Sequence, residues 1–290
     1  MRLLTVLAAL LTSLTFSFST VAEGFRFTAI PDQDESQLQA RFGKVARYLE
    51  RELGVPVTYV PVKSYAAAVT AFRNNQVQLA WFGGLSGVKA RDLVSGSRAI
   101  AQGYEDQFFK TYLIAHHSSG LLGQSTGDKF PKAIQGKTFT FGSKGSTSGR
   151  LMPEFYVRKH LGQAPDKAFD RVGFSGDHSR TIALVQSGAY AVGAVNYKVW
   201  ERALADGKID RNKVDVIWQT PAYPDYQWSV RGDVDQRFGA GFADRIQSVL
   251  LAIDDPELLE AFPRQSFVKA DNDDYRPIRD TAVTIGLIDG

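Results

Sequence analysis

Two α/β lobes, joined so that a cleft lies between them, make up the fold class that this sequence predicts. Three observations carry the expectation. Short β-branched or aromatic runs alternate with amphipathic helical stretches, the signature of sheets wrapped by helices. The alternation restarts near residue 109, and loops rich in glycine and hydroxyl residues follow strands in both units. At 290 residues the chain is long enough for two cores of ordinary size.

The first element is a leader. Arg2 precedes an apolar stretch over residues 3–18, then Thr20, Val21 and Ala22, small residues suited to cleavage after export. The stretch is interrupted by Thr5, Thr12, Ser13 and Thr15 and is shorter than the roughly 20 apolar residues that span a bilayer. Residues 1–22 are therefore read as a cleaved signal peptide, and the periplasm as the destination. The chain has no cysteine, which removes lipid attachment at the leader, disulfides, thiol nucleophiles and thiolate metal sites.

Residues 25–30 form an apolar strand ending at Pro31. Leu38, Phe42, Val45, Leu49 and Leu53 then recur at steps of three and four, which predicts a helix stopped by Gly54. A strand over 57–62, a helix opened by Ser64, a strand over 77–82, a helix over 85–94 and a strand over 99–103 complete a first unit with a parallel sheet. The second unit begins with strands at 109–115 and 138–141. A Gly/Ser loop follows, and then a helix over 151–161 in which Pro153 implies a kink or a separate first turn. A strand at 169–174, a helix at 179–187, a strand at 191–196 and a helix at 199–205 continue the alternation. Strands at 214–219 and 227–231 and two or three closing helices end the chain. The expected division is residues 23–110 for the first part of lobe 1, 111–225 for lobe 2, and 226–290 for the return to lobe 1.

In such sheets ligands sit beyond the carboxyl ends of strands, where helix N-termini point. The most informative loop is Gly142-Ser143-Lys144-Gly145-Ser146-Thr147-Ser148-Gly149. Unpaired amides at a helix start, together with the helix dipole, hold an anion without a formal cation. Ser146, Thr147 and Ser148 add hydroxyl donors, and Gly145 and Gly149 let the backbone approach. One such residue suffices for an ordinary cap; three in a row go beyond that. The loop is no nucleotide P-loop, because its glycine spacing differs and no Lys-Ser or Lys-Thr follows the last glycine.

Trp81-Phe82-Gly83-Gly84 ends a strand and opens a helix, so its rings can wall the cleft; core packing is the alternative for Trp81. Tyr65, beside the Ser64 cap, can bring a phenol to an anion. The segment Thr220-Pro221-Ala222-Tyr223-Pro224-Asp225-Tyr226 stands where the second unit returns to the first. Its Asp225 repels an anion unless that anion carries a proton or a cationic group, and a turn role is equally open to it. His178, at a helix start, can donate to an anion. The other histidines, His116, His117 and His160, show no metal-ligand spacing; no metal or cofactor is expected. No Gly-x-Ser-x-Gly elbow is present, so an enzyme reading lacks a nucleophile and base. Lys and Arg number 34, one of them Arg2 of the leader, against 31 Asp and Glu, a balance too even for a nucleic-acid partner.

These separated segments, together with Ala29-Ile30-Pro31, Ser64-Tyr65-Ala66, Leu79-Ala80, Leu151-Met152-Pro153 and Phe174-Ser175-Gly176-Asp177-His178, resemble the phosphate/phosphite/phosphonate-type solute-binding proteins of ABC transporters, and within them a branch labelled selenate-binding. The resemblance implies a type II periplasmic binding protein fold, two α/β lobes joined by two hinge strands with a ligand cleft between. It implies a small oxyanion held by Ser146, Thr147, Ser148 and Gly149, with Tyr65, Trp81, Phe82, His178, Asp225 and Tyr226 lining the site. It also implies an ABC permease and its ATPase as partners of a monomeric protein. Phe108 and Phe109 stand where a phosphonate-binding member presents a tyrosine, and Tyr197-Lys198 where an acid would hold an alkyl-ammonium group. A small oxyanion without a cationic tail is therefore expected. A sensor subunit for a membrane histidine kinase and a periplasmic enzyme on the same fold are the alternatives.

Overall fold

The computed structural model describes residues 24–121 and 123–289; the leader read over residues 1–22 lies outside them. Strand β1 (Phe25–Ala29) leads into α1 (Glu35–Leu53), capped by Asp34 and ended by Gly54 at φ 68°. Its buried stripe is the predicted one: Leu38, Phe42, Val45, Leu49 and Leu53. Next come β2 (Val57–Tyr59), α2 (Tyr65–Arg73), β3 (Leu79–Phe82), α3 (Gly84–Asp92) and β4 (Arg98–Gly103). The chain then leaves this lobe and builds β5 (Thr111–His116), β6 (Ser125–Thr126), β7 (Thr138–Phe141), α4 (Met152–Leu161), α5 (Pro165–Ala168), β8 (Arg171–Phe174), α6 (His178–Gln186), β9 (Val192–Asn196), α7 (Tyr197–Ala205) and β10 (Val214–Gln219). It returns as β11 (Gln227–Val230), followed by α8 (Val234–Phe238), α9 (Phe242–Leu251), α10 (Pro256–Ala261), β12 (Phe267–Lys269) and α11 (Arg276–Thr284).

Two six-stranded sheets result, in the orders β12-β4-β11-β3-β1-β2 and β6-β10-β5-β9-β7-β8. The parallel pairing expected of the first unit is present, β1 running parallel to β2 and β3, and β7 runs likewise with β8 and β9; strands that re-enter from the other lobe make both sheets mixed. β11 runs antiparallel to β3 and β4, and β5 runs antiparallel to β9 and β10. The registers give the reason. Gln227, which opens β11, pairs with Phe82, which ends β3; Thr111, which opens β5, pairs with Asn196, which ends β9. A strand arriving from the other lobe enters at the carboxyl edge of its new sheet and can only run back along it. That edge faces the cleft in both lobes, where ligands of open α/β sheets bind.

The two crossing segments are bound to each other. Phe109 and Tyr223 exchange backbone hydrogen bonds of 2.9 and 3.1 Å, and the Asp225 N–H donates to the Asp106 carbonyl at 3.0 Å. Asp106 is itself fixed to lobe 1 by a bidentate pair with Arg264, both contacts 2.7 Å and both side chains buried. Among the described residues no helix is long and apolar enough to cross a membrane.

Candidate functional site

The Gly/Ser loop follows β7, and of the two outcomes that Pro153 implies, a kink or a separate first turn, the structure shows the second. Residues Thr147–Leu151 form one π-helical turn before α4 begins at Met152. Proline lacks the N–H that would continue the ladder and clashes one turn back, so the wider turn resolves both constraints. The Ser146 hydroxyl caps the turn by accepting from the Gly149 N–H at 2.9 Å. The amides of Thr147 and Ser148 are those that no earlier turn satisfies. The loop is also held from behind. Thr111 donates its single hydroxyl proton to the Ser148 carbonyl at 2.8 Å, so Tyr223 must be the donor in the 2.6 Å contact between their hydroxyls.

The other lobe meets this loop directly. The Leu85 N–H, at the start of α3, donates to Thr147 Oγ1 at 3.0 Å, and the neighbouring Gly84 N–H donates to Asp225 Oδ1 at 2.8 Å. Tyr65 opens α2 and faces Gly145, where an added Cβ would stand 3.0 Å from the Tyr65 Cβ. His178 opens α6 and packs against Gly149, whose added Cβ would lie 3.0 Å from the imidazole Cε1. Ser146, Thr147, Ser148, Tyr65, His178 and Asp225 are all buried. One cluster thus draws on a loop and a helix start of lobe 2, two helix starts of lobe 1 and a crossing segment.

Its electrostatics favour neutral donors. Burial lowers the pKa of His178 to about 3, so its ring is neutral. Its Nδ1 accepts from the Asn196 N–H at 3.3 Å, which leaves the proton on Nε2, 3.5 Å from the Ser148 hydroxyl. Burial pushes the Tyr65 phenol well above its usual pKa, and the charge of Asp32 adds to the shift. Asp225 is raised to about 7, chiefly by burial, with the Thr147 side chain and the Gly84 amide pulling it back. Two buried polar atoms in the cluster have no hydrogen-bond partner among the described residues: the Tyr65 hydroxyl, which Ser146 approaches without reaching bonding geometry, and Asp225 Oδ2. Such atoms cost free energy unless something fills the gap. A guest rich in oxygen atoms would do so.

Other residues singled out in the sequence lie elsewhere. The Phe82 ring turns into its own lobe and packs edge-on against Phe72 at 5.6 Å, so this turn presents backbone amides to the cleft rather than that ring. Trp81 stacks on Tyr226 at 5.6 Å and packs against Phe262 and Phe267, as a core aromatic behind the site. Tyr226 bridges the lobes: it donates to Asp32 Oδ2 at 2.7 Å and accepts from the Asn196 side-chain amide at 3.0 Å. Sequence reasoning missed Asp32, although its place just beyond β1 is the kind of strand-end position that marked the others. Asp32 is buried with its pKa raised to about 6, mainly by desolvation, and its carbonyl accepts from the His178 N–H at 3.0 Å. Phe108 is exposed, while Phe109 is buried against Tyr197 and Tyr226. Lys198 pairs with Glu105 at 3.5 Å. His117 pairs with Asp215 and His160 stacks on Phe130. No group of three or more His, Cys, Asp or Glu able to hold a metal occurs among the described residues.

Residues 27–275 match the family described as ABC transporter, phosphonate, periplasmic substrate-binding protein. The chain is 40% identical, over 87% of its length and 86% of the relative's, to a probable ABC transporter phosphite-binding protein, PhnD1, of Prochlorococcus marinus. It is 25% identical to the phosphonates-binding periplasmic protein of Escherichia coli, over 76% of this chain and 67% of that one. Among solved structures, PhnD1 of P. marinus in complex with methylphosphonate superposes with a TM-score of 0.85 at 37% identity, covering 91% of this chain and 99% of the other. The fold, the cleft and the extent of these matches agree: the chain belongs to the periplasmic substrate-binding proteins of the phosphonate ABC transporter family.

Proposed function

We propose that this protein captures a small tetrahedral oxyanion of the phosphonate, phosphite or selenate class, encloses it between its lobes, and delivers it in the periplasm to an inner-membrane permease and its ATPase. The observation that carries this reading is the cluster of neutral donors from both lobes around two unpartnered buried atoms, the Tyr65 hydroxyl and Asp225 Oδ2. Neutral hydroxyls and amides sort similar anions by how completely each satisfies them, since a buried group left short costs about 1–3 kcal/mol. An Asp225 carboxyl raised to about 7 suits an anion that shares a proton with it. The likeness to PhnD1, crystallised with methylphosphonate, favours phosphorus oxyanions over selenate within that class. Pairing of Lys198 with Glu105, at the place where an acid would hold an ammonium, favours a ligand without a cationic tail.

The test is calorimetric titration of the mature protein, stripped of ligand by unfolding and refolding, with phosphite, methylphosphonate, phosphate, selenate and sulfate in parallel. Tight binding of one or two phosphorus oxyanions is expected. Failure of all five to bind would overturn the small-oxyanion reading.

A further inference from the structure

The hydroxyl cluster contains no Lys or Arg, and its nearest acids, Asp225 and Asp32, make it a poor attractor of anions from a distance. The attracting charge sits outside it. Beyond Tyr65 and Gly145 the cleft opens into a recess of about 550 Å³ with walls from both lobes, including Ser64, Val69 and Lys89 on one side and Ser143, Lys144 and Phe174 on the other. Among the described residues no Asp or Glu lines this recess. Lys89 and Lys144 make no ion pair among the described residues, whereas Arg150 close by is engaged with Glu154. Lys89 is half-buried, and desolvation together with Arg150 lowers its pKa, so its charge is held under strain that a bound anion relieves. Lys144 and Arg150 both flank the partly exposed Phe174 ring, at 5.2 and 4.7 Å from its centre. The ring narrows the space in which an arriving anion meets these charges.

We infer that this recess is an entry subsite for oxyanions, in which Lys89 and Lys144, from opposite lobes, first hold the ligand before the neutral cluster behind Tyr65 takes it over. The inference rests on the oxyanion reading above. It divides the labour: charges at the mouth set how fast the anion arrives, and buried donors set how long it stays and which anion stays. Rim charges act in this way on association and its salt dependence, and buried hydrogen bonds on dissociation.

The experiment is stopped-flow tryptophan fluorescence with the phosphorus oxyanion that binds the wild type best, from 10 to 500 mM NaCl, on wild type and on the Lys89→Gln/Lys144→Gln double variant. The double variant is expected to associate about five- to tenfold more slowly at low salt. Its salt dependence should be flattened, its dissociation rate should stay within about twofold of wild type, and the order of preference among the oxyanions should not change. Unchanged association with an unchanged salt slope, or a loss confined to dissociation, would overturn the entry role alone. Absence of any oxyanion binding by the wild type would sink the ligand reading and this role with it.

Discussion

Thr147 serves both lobes at once. Its hydroxyl oxygen accepts the Leu85 amide from the opposite lobe, and its side chain steadies Asp225. Removing the hydroxyl leaves a buried amide short of an acceptor only when the lobes meet, so the loss falls on binding rather than on folding. Thr147→Ala is expected to weaken oxyanion binding about 10- to 100-fold while leaving the melting temperature of the free protein within a few degrees of wild type; titration and thermal denaturation check the two halves. Asp225 adds a pH dependence whose sign is fixed. Its carboxyl titrates near 7 in the folded protein, against 3.8 ordinarily. The protonated form can donate to an anion and the ionised form repels it, so the Asp225 contribution to affinity is greatest below pH 7 and declines above it. The same raised pKa makes its contribution to stability full below its ordinary pKa and lost as pH rises through about 7. Titrations of wild type and Asp225→Asn from pH 5.5 to 8.5 cancel the ligand's own protonation when subtracted. The wild-type advantage should shrink across pH 7, and a pH-independent difference would remove Asp225 from proton sharing with the ligand.

At the level of elements, the meeting of the loop after β7 with the N-terminus of α2 sets how closely the lobes approach. Gly145 admits the Tyr65 side chain without a gap, and even a methyl there would press on the Tyr65 Cβ at 3.0 Å. Gly145→Val is therefore expected to hold the lobes apart, lowering oxyanion affinity at least tenfold and reducing the ligand-induced fall in radius of gyration measured by small-angle scattering, with little change in the unfolding midpoint of the free protein. Retained closure would show that the loop yields instead. What the sequence could disclose follows the same physics. The α1 stripe and the interruption ahead of Pro153 were legible because local periodicity and a missing N–H cause them. The reversed direction of β5 and β11 was hidden, since it comes from where the chain re-enters each sheet. Phe82 was misplaced at the cleft because alternation along a strand buried on both faces does not say which side faces which lobe. Asp32 escaped notice because its role depends on Tyr226, which is 194 residues away.

For the whole molecule, the two crossing segments and the contacts made directly between lobes decide how far the free protein is already closed. The segments are tied by Phe109 to Tyr223 and by Asp225 to Asp106, with Asp106 anchored through Arg264, so the hinge has a fixed base. Across the cleft, Leu85 reaches Thr147, the His178 amide reaches the Asp32 carbonyl, and Tyr226 links Asp32 to Asn196. Because Asn196 also donates its backbone N–H to His178, the Tyr226 bridge and the anion cluster share one hydrogen-bonded path. Tyr226→Phe keeps the ring that stacks on Trp81 and removes only the hydroxyl. The Asp32 Oδ2 contact, within lobe 1, is then lost in open and closed forms alike, whereas the Asn196 amide is left buried without its acceptor in the closed form alone, at a cost of about 1–3 kcal/mol. The free variant is expected to scatter with a larger radius of gyration than wild type and to bind the oxyanion about tenfold more weakly, mainly through faster dissociation. Equal radii and equal dissociation rates would mean that the bridge forms without biasing the lobes, and would leave closure to the ligand and the Thr147 contact.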